Sequence, residues 1–346
     1  MQLLHKIMIQ HPAVSVIMSV YNNEQFVAEA MNSILNQSFS DFEFIVVNDC
    51  STDNSEAVIH AFNDERIRLT VNETNIGLTK SLNKAIRLAE GKYIARMDAD
   101  DISFPERIGK QVAFLEANPS ITICGCQVTV VHAPDEPGAF PFTHEHIKVR
   151  ALEANPFAHP TVMWRREDFI RHDLFYNEAV KYAQDYELWS RALMLVQSAN
   201  LRDHLFTYRQ HSGQIGKSKT VEQDASALMT KLGFLKRLGI DATEQEKELH
   251  LAIVGSGLKK HRSVADLKLV EAWFCRILAA NEKMQVFNQA ELINLWAAKI
   301  FKKGLYSYSL PVWRWSLSSV ARRSNRITIK DKLAFFVKSL IGKQNR

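Results

Sequence analysis

The sequence predicts an α/β fold: a mostly parallel sheet flanked by helices, followed by an all-helical C-terminal region. Three observations predict it. Strand-like and helix-like segments alternate through the first half, at the roughly 10–15-residue spacing of βαβ units. The first strand candidate, Val14–Val20 (VSVIMSV), reads as an apolar run buried on both faces, as in a parallel sheet. From about Thr220 the chain turns rich in Leu, Lys and Ala and shows no strand signal.

Each element has its own reason. Glu24–Asn36 has helical spacing, with Phe26, Val27, Ala30, Met31, Ile34 and Leu35 on one side. Phe42–Val47 is the second strand. Asp53 or Asn54 caps a helix running to about Phe62. Ile67–Val71 is the third strand, Leu78–Ala89 a helix ended by Gly91, and Tyr93–Met97 the fourth strand. Pro105 suits the first turn of a helix running to Ala117. After Ile121–Val131, the Pro- and Gly-bearing stretch His132–Thr143 reads as a loop. Thr161–Trp164 is a further strand and Asp185–Val196 a further helix. The boundary falls near Ser212–Thr220, which gives two domains, 1–215 and 216–346.

Composition excludes several classes. Of 346 residues, 46% are hydrophobic, too many for a disordered chain. Four cysteines (Cys50, Cys124, Cys126, Cys275) are too few for a disulfide scaffold, and the Cys124/Cys126 pair lacks the partner pair of a zinc site. They read as reduced thiols of a cytoplasmic protein. No apolar run reaches the ~18–20 residues that cross a bilayer, and the first residues lack a signal-peptide core. The net charge of +5 conceals an asymmetry: Phe301 onward carries eleven Lys or Arg against Asp331 alone, while the first 300 residues are net −5. Such a tail wants an anionic partner.

In open parallel sheets, ligands bind beyond the carboxyl ends of the strands. The first strand ends at Tyr21-Asn22, the second at Asn48-Asp49 and the fourth at Asp98-Ala99-Asp100-Asp101. Three carboxylates in four residues repel one another, and a hard divalent cation, Mg²⁺ or Mn²⁺, removes that cost. The alternative is a solvated turn whose acid caps the next helix. Asp49 suits an imide N–H of uracil, thymine or guanine, or else an Asx turn. A dinucleotide site would show GxGxxG after the first strand, where the sequence reads VYNNEQF, and GxxxxGK[ST] is absent too.

Taken in order, VSVIMSVYN, FIVVNDCSTDNS, NIGLTKSLNKAI, GKYIARMDADD with FPERI, NPFAHPTVMWRR and QDYELW resemble glycosyltransferase family 2, the inverting nucleotide-sugar enzymes of GT-A fold. The resemblance runs from Val14 to His211. It implies that Tyr21 and Asp49 hold the nucleobase, normally uracil, and that Asn22 also belongs to the nucleotide-binding set. Asn75 and Lys80 would border the nucleotide pocket. Asp98 would approach the ribose and the metal shell, with Asp100 the direct metal ligand and Asp101 less defined. Asp185 would match the catalytic base, His159 would face the acceptor, and Arg209 and His211 would reach the diphosphate. Two departures stand out: Gln184 precedes Asp185 where Glu is frequent, and Cys50 stands where Gly is frequent. The QxxRW string of processive synthases is absent, which favours transfer of a single sugar.

The resemblance implies a nucleotide-sugar donor and a glycan or lipid-linked acceptor. In the tail, Leu333, Phe336, Val337, Leu340 and Ile341 form an apolar stripe flanked by Lys330, Lys332, Lys338 and Lys343. That pattern suits a helix on an anionic membrane surface, or one packed on its own domain. No nucleic-acid motif accompanies the basic residues. Two other readings compete: a nucleotidyltransferase, which would need a Gly-rich basic loop after the first strand, and a non-catalytic scaffold at a membrane.

Overall fold

A computed structural model describes residues 11–130, 140–209, 220–254 and 264–295. The basic tail, with Trp313 and Trp315, lies outside the described residues, as do His211, most of the boundary segment and residues 131–139 of the proposed loop.

The elements run β1 (Val14–Val20), α1 (Val27–Leu35), β2 (Phe42–Asn48), α2 (Ser55–His60), β3 (Ile67–Val71), α3 (Leu78–Leu88), β4 (Tyr93–Asp98), β5 (Ile102–Ser103) and α4 (Arg107–Ala117). They continue with β6 (Ile121–Val130), α5 (His144–Arg150), β7 (Met163–Arg165), α6 (Arg166–Arg171), α7 (Gln184–Ala192) and β8 (Gln197–Tyr208). Three helices follow: α8 (Thr220–Arg237), α9 (Glu244–Val254) and α10 (Val264–Met284).

The strands form one sheet in the order β3-β2-β1-β4-β7-β6-β8-β5. Pairing is parallel for β3-β2-β1-β4 and for β6 with β8. It is antiparallel where β7 lies between β4 and β6, and where β5 meets β8. The sheet is thus mixed, and β7 marks the change of direction. β1, β2 and β4 are almost wholly buried, and their apolar residues pack with α1 (Val27, Ala30, Met31, Ile34) into one core.

The structure corrects several boundaries. The segment expected as a strand from Thr161 begins as a 3₁₀ turn, His159–Thr161, before β7. β8 was not anticipated: Arg202, Asp203 and His204 break its apolar pattern where it bulges against β6. Gly91 does not cap α3, which ends in extended Ala89. A Cβ there would lie 2.5 Å from the Ser15 backbone nitrogen, so Gly91 permits close approach to β1. Asn54 takes the cap position of α2 without a side-chain capping bond, its carboxamide donating to Glu24 at 2.9 Å, and Asp53 instead accepts the Ser55 N–H at 2.9 Å.

The chain divides into two compact units, Met1–His144 with Pro156–Gln223, and Glu145–Asn155 with Asp224–Arg346. The second includes a short segment from the middle of the sequence, which composition did not single out. Its buried side chains include Phe234, Phe274, Ile277 and Leu292, and Asn281 hydrogen-bonds both backbone groups of Phe287. No helix among the described residues is long and apolar enough to cross a membrane.

Candidate active site

A cavity of about 1050 Å³ opens beyond the carboxyl ends of β1, β2 and β4, within the first unit. Its first wall is the loop Tyr21–Phe26 after β1. That loop carries no glycine, so other contacts hold its shape. Asn22 adopts a left-handed φ of 48°, and its carboxamide oxygen accepts the Thr52 N–H at 2.7 Å. The Asn22 N–H donates to Ser51 Oγ, and the Asn23 N–H to Ser55 Oγ. Glu24 and the α2 start exchange bonds: the Glu24 N–H donates to Asp53, and the Asn54 N–H to Glu24 at 2.8 Å. The polar string Ser51–Ser55 therefore latches one loop to the other.

Asp49 is buried at the end of β2. Its Oδ1 accepts the Ile76 N–H at 2.9 Å and the Asn72 carboxamide at 2.8 Å, and its Oδ2 accepts the Gly77 N–H at 2.8 Å. The carboxylate thereby fixes the entry to α3, and Asn75, Ile76, Gly77 and Lys80 line the cavity from there. One lone pair of Oδ2 has no acceptor bond in this set, since a carboxylate offers about four.

The ligand oxygens of Asp98, Asp100 and Asp101 lie within 4.8 Å of one another. Asp98 and Asp100 line the cavity. Arg96, 2% exposed, forks its guanidinium onto both oxygens of Asp98. Burial still pushes the Asp98 carboxyl up to about 6, with Asp100 and Asp185 acting in the same direction and Arg96 against them. Asp101 is fully buried and pushed up to about 9, first by burial and then by Asp98 and Asp100. Its Oδ1 accepts the Arg209 N–H at 2.9 Å, while its buried Oδ2 has no hydrogen-bond partner among the described residues. A hard divalent cation fits this set: three clustered carboxylates, two of them driven toward protonation, and one orphaned buried oxygen.

Arg107, also fully buried, braces the floor by donating to the carbonyls of Arg96 (2.7 Å) and Pro160 (3.1 Å). On the far side, α7 begins after Ala183, a left-handed residue (φ 52°) without a capping side chain. Asp185 therefore lies in the first turn and is not the cap. Its charge acts on both Asp98 and Arg96. His159 Nδ1 lies 3.9 Å from Asp185 Oδ2.

The model of "Glycosyl transferase family 2" matches residues 15–173. An "Uncharacterized glycosyltransferase" of Haemophilus influenzae is 35% identical over 66% of this chain and 76% of its own. The chain belongs to glycosyltransferase family 2. The "O-antigen biosynthesis glycosyltransferase WbnJ" of Escherichia coli is 30% identical over 65% of this chain and 89% of its own. Two solved structures share the fold. S. aureus TarS 1-349 with UDP-GlcNAc has TM-score 0.56, 20% identity and coverage of 96% and 93%; the mannosyltransferase PcManGT of Pyrobaculum calidifontis, with GDP-Man and Mn2+, has 0.53, 19%, 97% and 89%. The fold is GT-A, with a helical C-terminal region.

In this family 2 glycosyltransferase, Tyr21, Asn22, Asp49, Asn75, Lys80, Asp98 and Asp100 meet at one cavity. Arg209 does not line it. Its guanidinium pairs with Glu29 of α1 and lies 5.4 Å from the Phe26 ring centroid. His159 is turned toward Tyr176 and Asp185. Sequence reasoning did not single out Arg96 or Arg107, both of which are buried. It also missed Lys181 and Tyr182, which line the cavity from the connection before α7. The one available signal was Arg96 inside the otherwise apolar run YIARM.

Proposed function

We propose that this glycosyltransferase is inverting and metal-dependent. It would move one sugar from a nucleotide-diphosphate sugar, a UDP-sugar first, to a hydroxyl of a glycan or lipid-linked acceptor in bacterial-type surface polysaccharide assembly. The acid cluster opening into a nucleotide-sized cavity carries this reading. WbnJ and the UDP-GlcNAc bound to TarS support the substrate class. The GDP-Man bound to PcManGT keeps a second nucleotide in view. The enzyme would work in the cytoplasm, peripheral to the membrane through its basic tail.

Tyr21 would stack beneath the base, and Asp49 Oδ2 would accept its imide N–H. Asn75 and Lys80 would line the path to the diphosphate. Asp100, with Asp98 and Asp101 beside it, would hold Mn²⁺ or Mg²⁺, which when bound neutralises charge on the leaving diphosphate. Arg96 keeps Asp98 aimed. Asp185 would take the proton of the acceptor hydroxyl. A carboxylate is a weak base, so proton transfer comes late, as the attacking oxygen grows acidic.

A thermal-shift panel of UDP, GDP, CDP and dTDP and their common sugars, with and without Mn²⁺, tests the reading. A ligand at 100 times its Kd stabilises by about 2.7 kcal/mol. A Mn²⁺-dependent shift with UDP compounds supports the assignment. A shift with GDP compounds alone replaces the nucleotide, and no shift with any nucleotide refutes the site.

A further inference from the structure

Tyr176 is buried, and its phenol has no part in the chemistry above. Three elements hold it. From α3, Asn83 clamps its backbone, accepting the Tyr176 N–H and donating to its carbonyl, both at 2.9 Å. From α7, Arg191 donates to the adjoining Phe175 carbonyl at 2.7 Å. From the 3₁₀ turn, Nε2 of His159 lies 2.6 Å from its hydroxyl. The rings of Tyr176 and Trp189 stand edge-on to the imidazole, with centroids at 5.5 and 6.3 Å. Such a pocket leaves His159 a single orientation.

The proton positions follow. Among the described residues, Nε2 is the hydrogen-bond partner of the Tyr176 hydroxyl, and a buried O–H donates where it can. A neutral imidazole that accepts at Nε2 carries its proton on Nδ1. Nδ1 is the nitrogen that faces Asp185 Oδ2 at 3.9 Å. Burial first, and the Arg96 charge second, keep His159 neutral. Among the described residues, Tyr176, Asp185 and Arg96 are the titratable or charged groups that face it.

We propose that Tyr176 and His159 are positioning residues for Asp185: the phenol fixes the Nδ1–H tautomer of His159, and that N–H orients the Asp185 carboxylate. The inference rests on Asp185 as the base. The 3.9 Å gap exceeds a hydrogen bond and would close in the substrate complex, as catalytic hydrogen bonds commonly do. His159 then acts on the base and not on the acceptor.

The test is two-bond ¹H–¹⁵N correlation on the full chain labelled at histidine, with the resonance identified by its loss in His159→Gln or, should that variant not fold, His159→Asn. The expected result is a neutral ring protonated on Nδ1 at pH 7 and still so at pH 6. Tyr176→Phe, which keeps the ring, should release a mixture of tautomers, and Asp185→Asn should move the Nδ1 shift. With the donor found in the binding panel, Tyr176→Phe should lower kcat ~10–100-fold, the range for groups that orient a working side chain, and leave KM within about twofold. An Nε2–H tautomer in the unaltered protein, or no tautomer change in Tyr176→Phe, overturns the relay. If Asp185→Asn loses transfer all the same, the base assignment survives that failure. Full transfer in Asp185→Asn removes the base and the relay together.

Discussion

At Cys50 the backbone sits at φ 59°, in the left-handed region that costs an L-residue roughly 1–2 kcal/mol. Cys50→Gly should therefore stabilise the fold by about 0.5 kcal/mol once the extra freedom of glycine in the unfolded chain is deducted. Cys50→Val should destabilise it, and denaturant midpoints at equal slope would show both. At Asp185, replacement by Asn should leave nucleotide binding intact and cut turnover by ~10²–10⁴, the usual contribution of a general base. Isothermal titration beside single-turnover rates separates the two effects. His159 sets a pH dependence. Its folded pKa is depressed well below the ordinary 6.5, so the stability it contributes is present above 6.5 and lost as pH falls below that value. Melting curves from pH 7.5 to 5 should fall less steeply in His159→Gln.

At the scale of elements, the site depends on close backbone approach as much as on side chains. Gly91 is where the segment after α3 meets β1, and a Cβ would run into Ser15 and Val14 backbone atoms that cannot move aside cheaply. Gly91→Ala should cost about 1–3 kcal/mol, as overpacking does, and lower the chemical-denaturation midpoint. The Ser51–Ser55 string is legible as a helix start, and its spacing led to a cap on α2. Its larger work is across the cleft, where Thr52, Asp53 and Asn54 hold the Tyr21–Phe26 loop. A propensity argument sees the first role because it is local. The second joins residues 29 or 30 positions apart, and no periodicity encodes that.

For the whole molecule, a cation held by the acid cluster would couple stability to its binding. Burial and Asp100 push up both Asp98 and Asp101, with Asp185 adding to the first and Asp98 to the second, and the ligand oxygens of all three acids lie within 4.8 Å of one another. Mn²⁺ should raise the melting temperature, EDTA should reverse the change, and Asp100→Asn should abolish most of it; calorimetry with and without chelator checks this. A nucleotide diphosphate should enlarge the Mn²⁺ shift, since the two ligands would share the cavity.

The sequence by itself determined the strand–helix alternation, the buried strands β1, β2 and β4, and the polar residues at their carboxyl ends, because each is written in local periodicity and in the position of a residue relative to its strand. Asp49, Asp98 and Asp100 were legible for that reason. Only the tertiary structure decided that Arg96 lies inside and holds Asp98, that Arg209 turns to Glu29, and that His159 faces Tyr176 and Asp185. It also decided that β7 enters antiparallel and that β8 completes the sheet. The physical reason is one of range. A charge or an imidazole has the same local signature whether it meets water or a buried partner; Arg209 and Glu29 lie far apart in sequence, and even Arg96, two residues from Asp98, is buried only because the sheet encloses it.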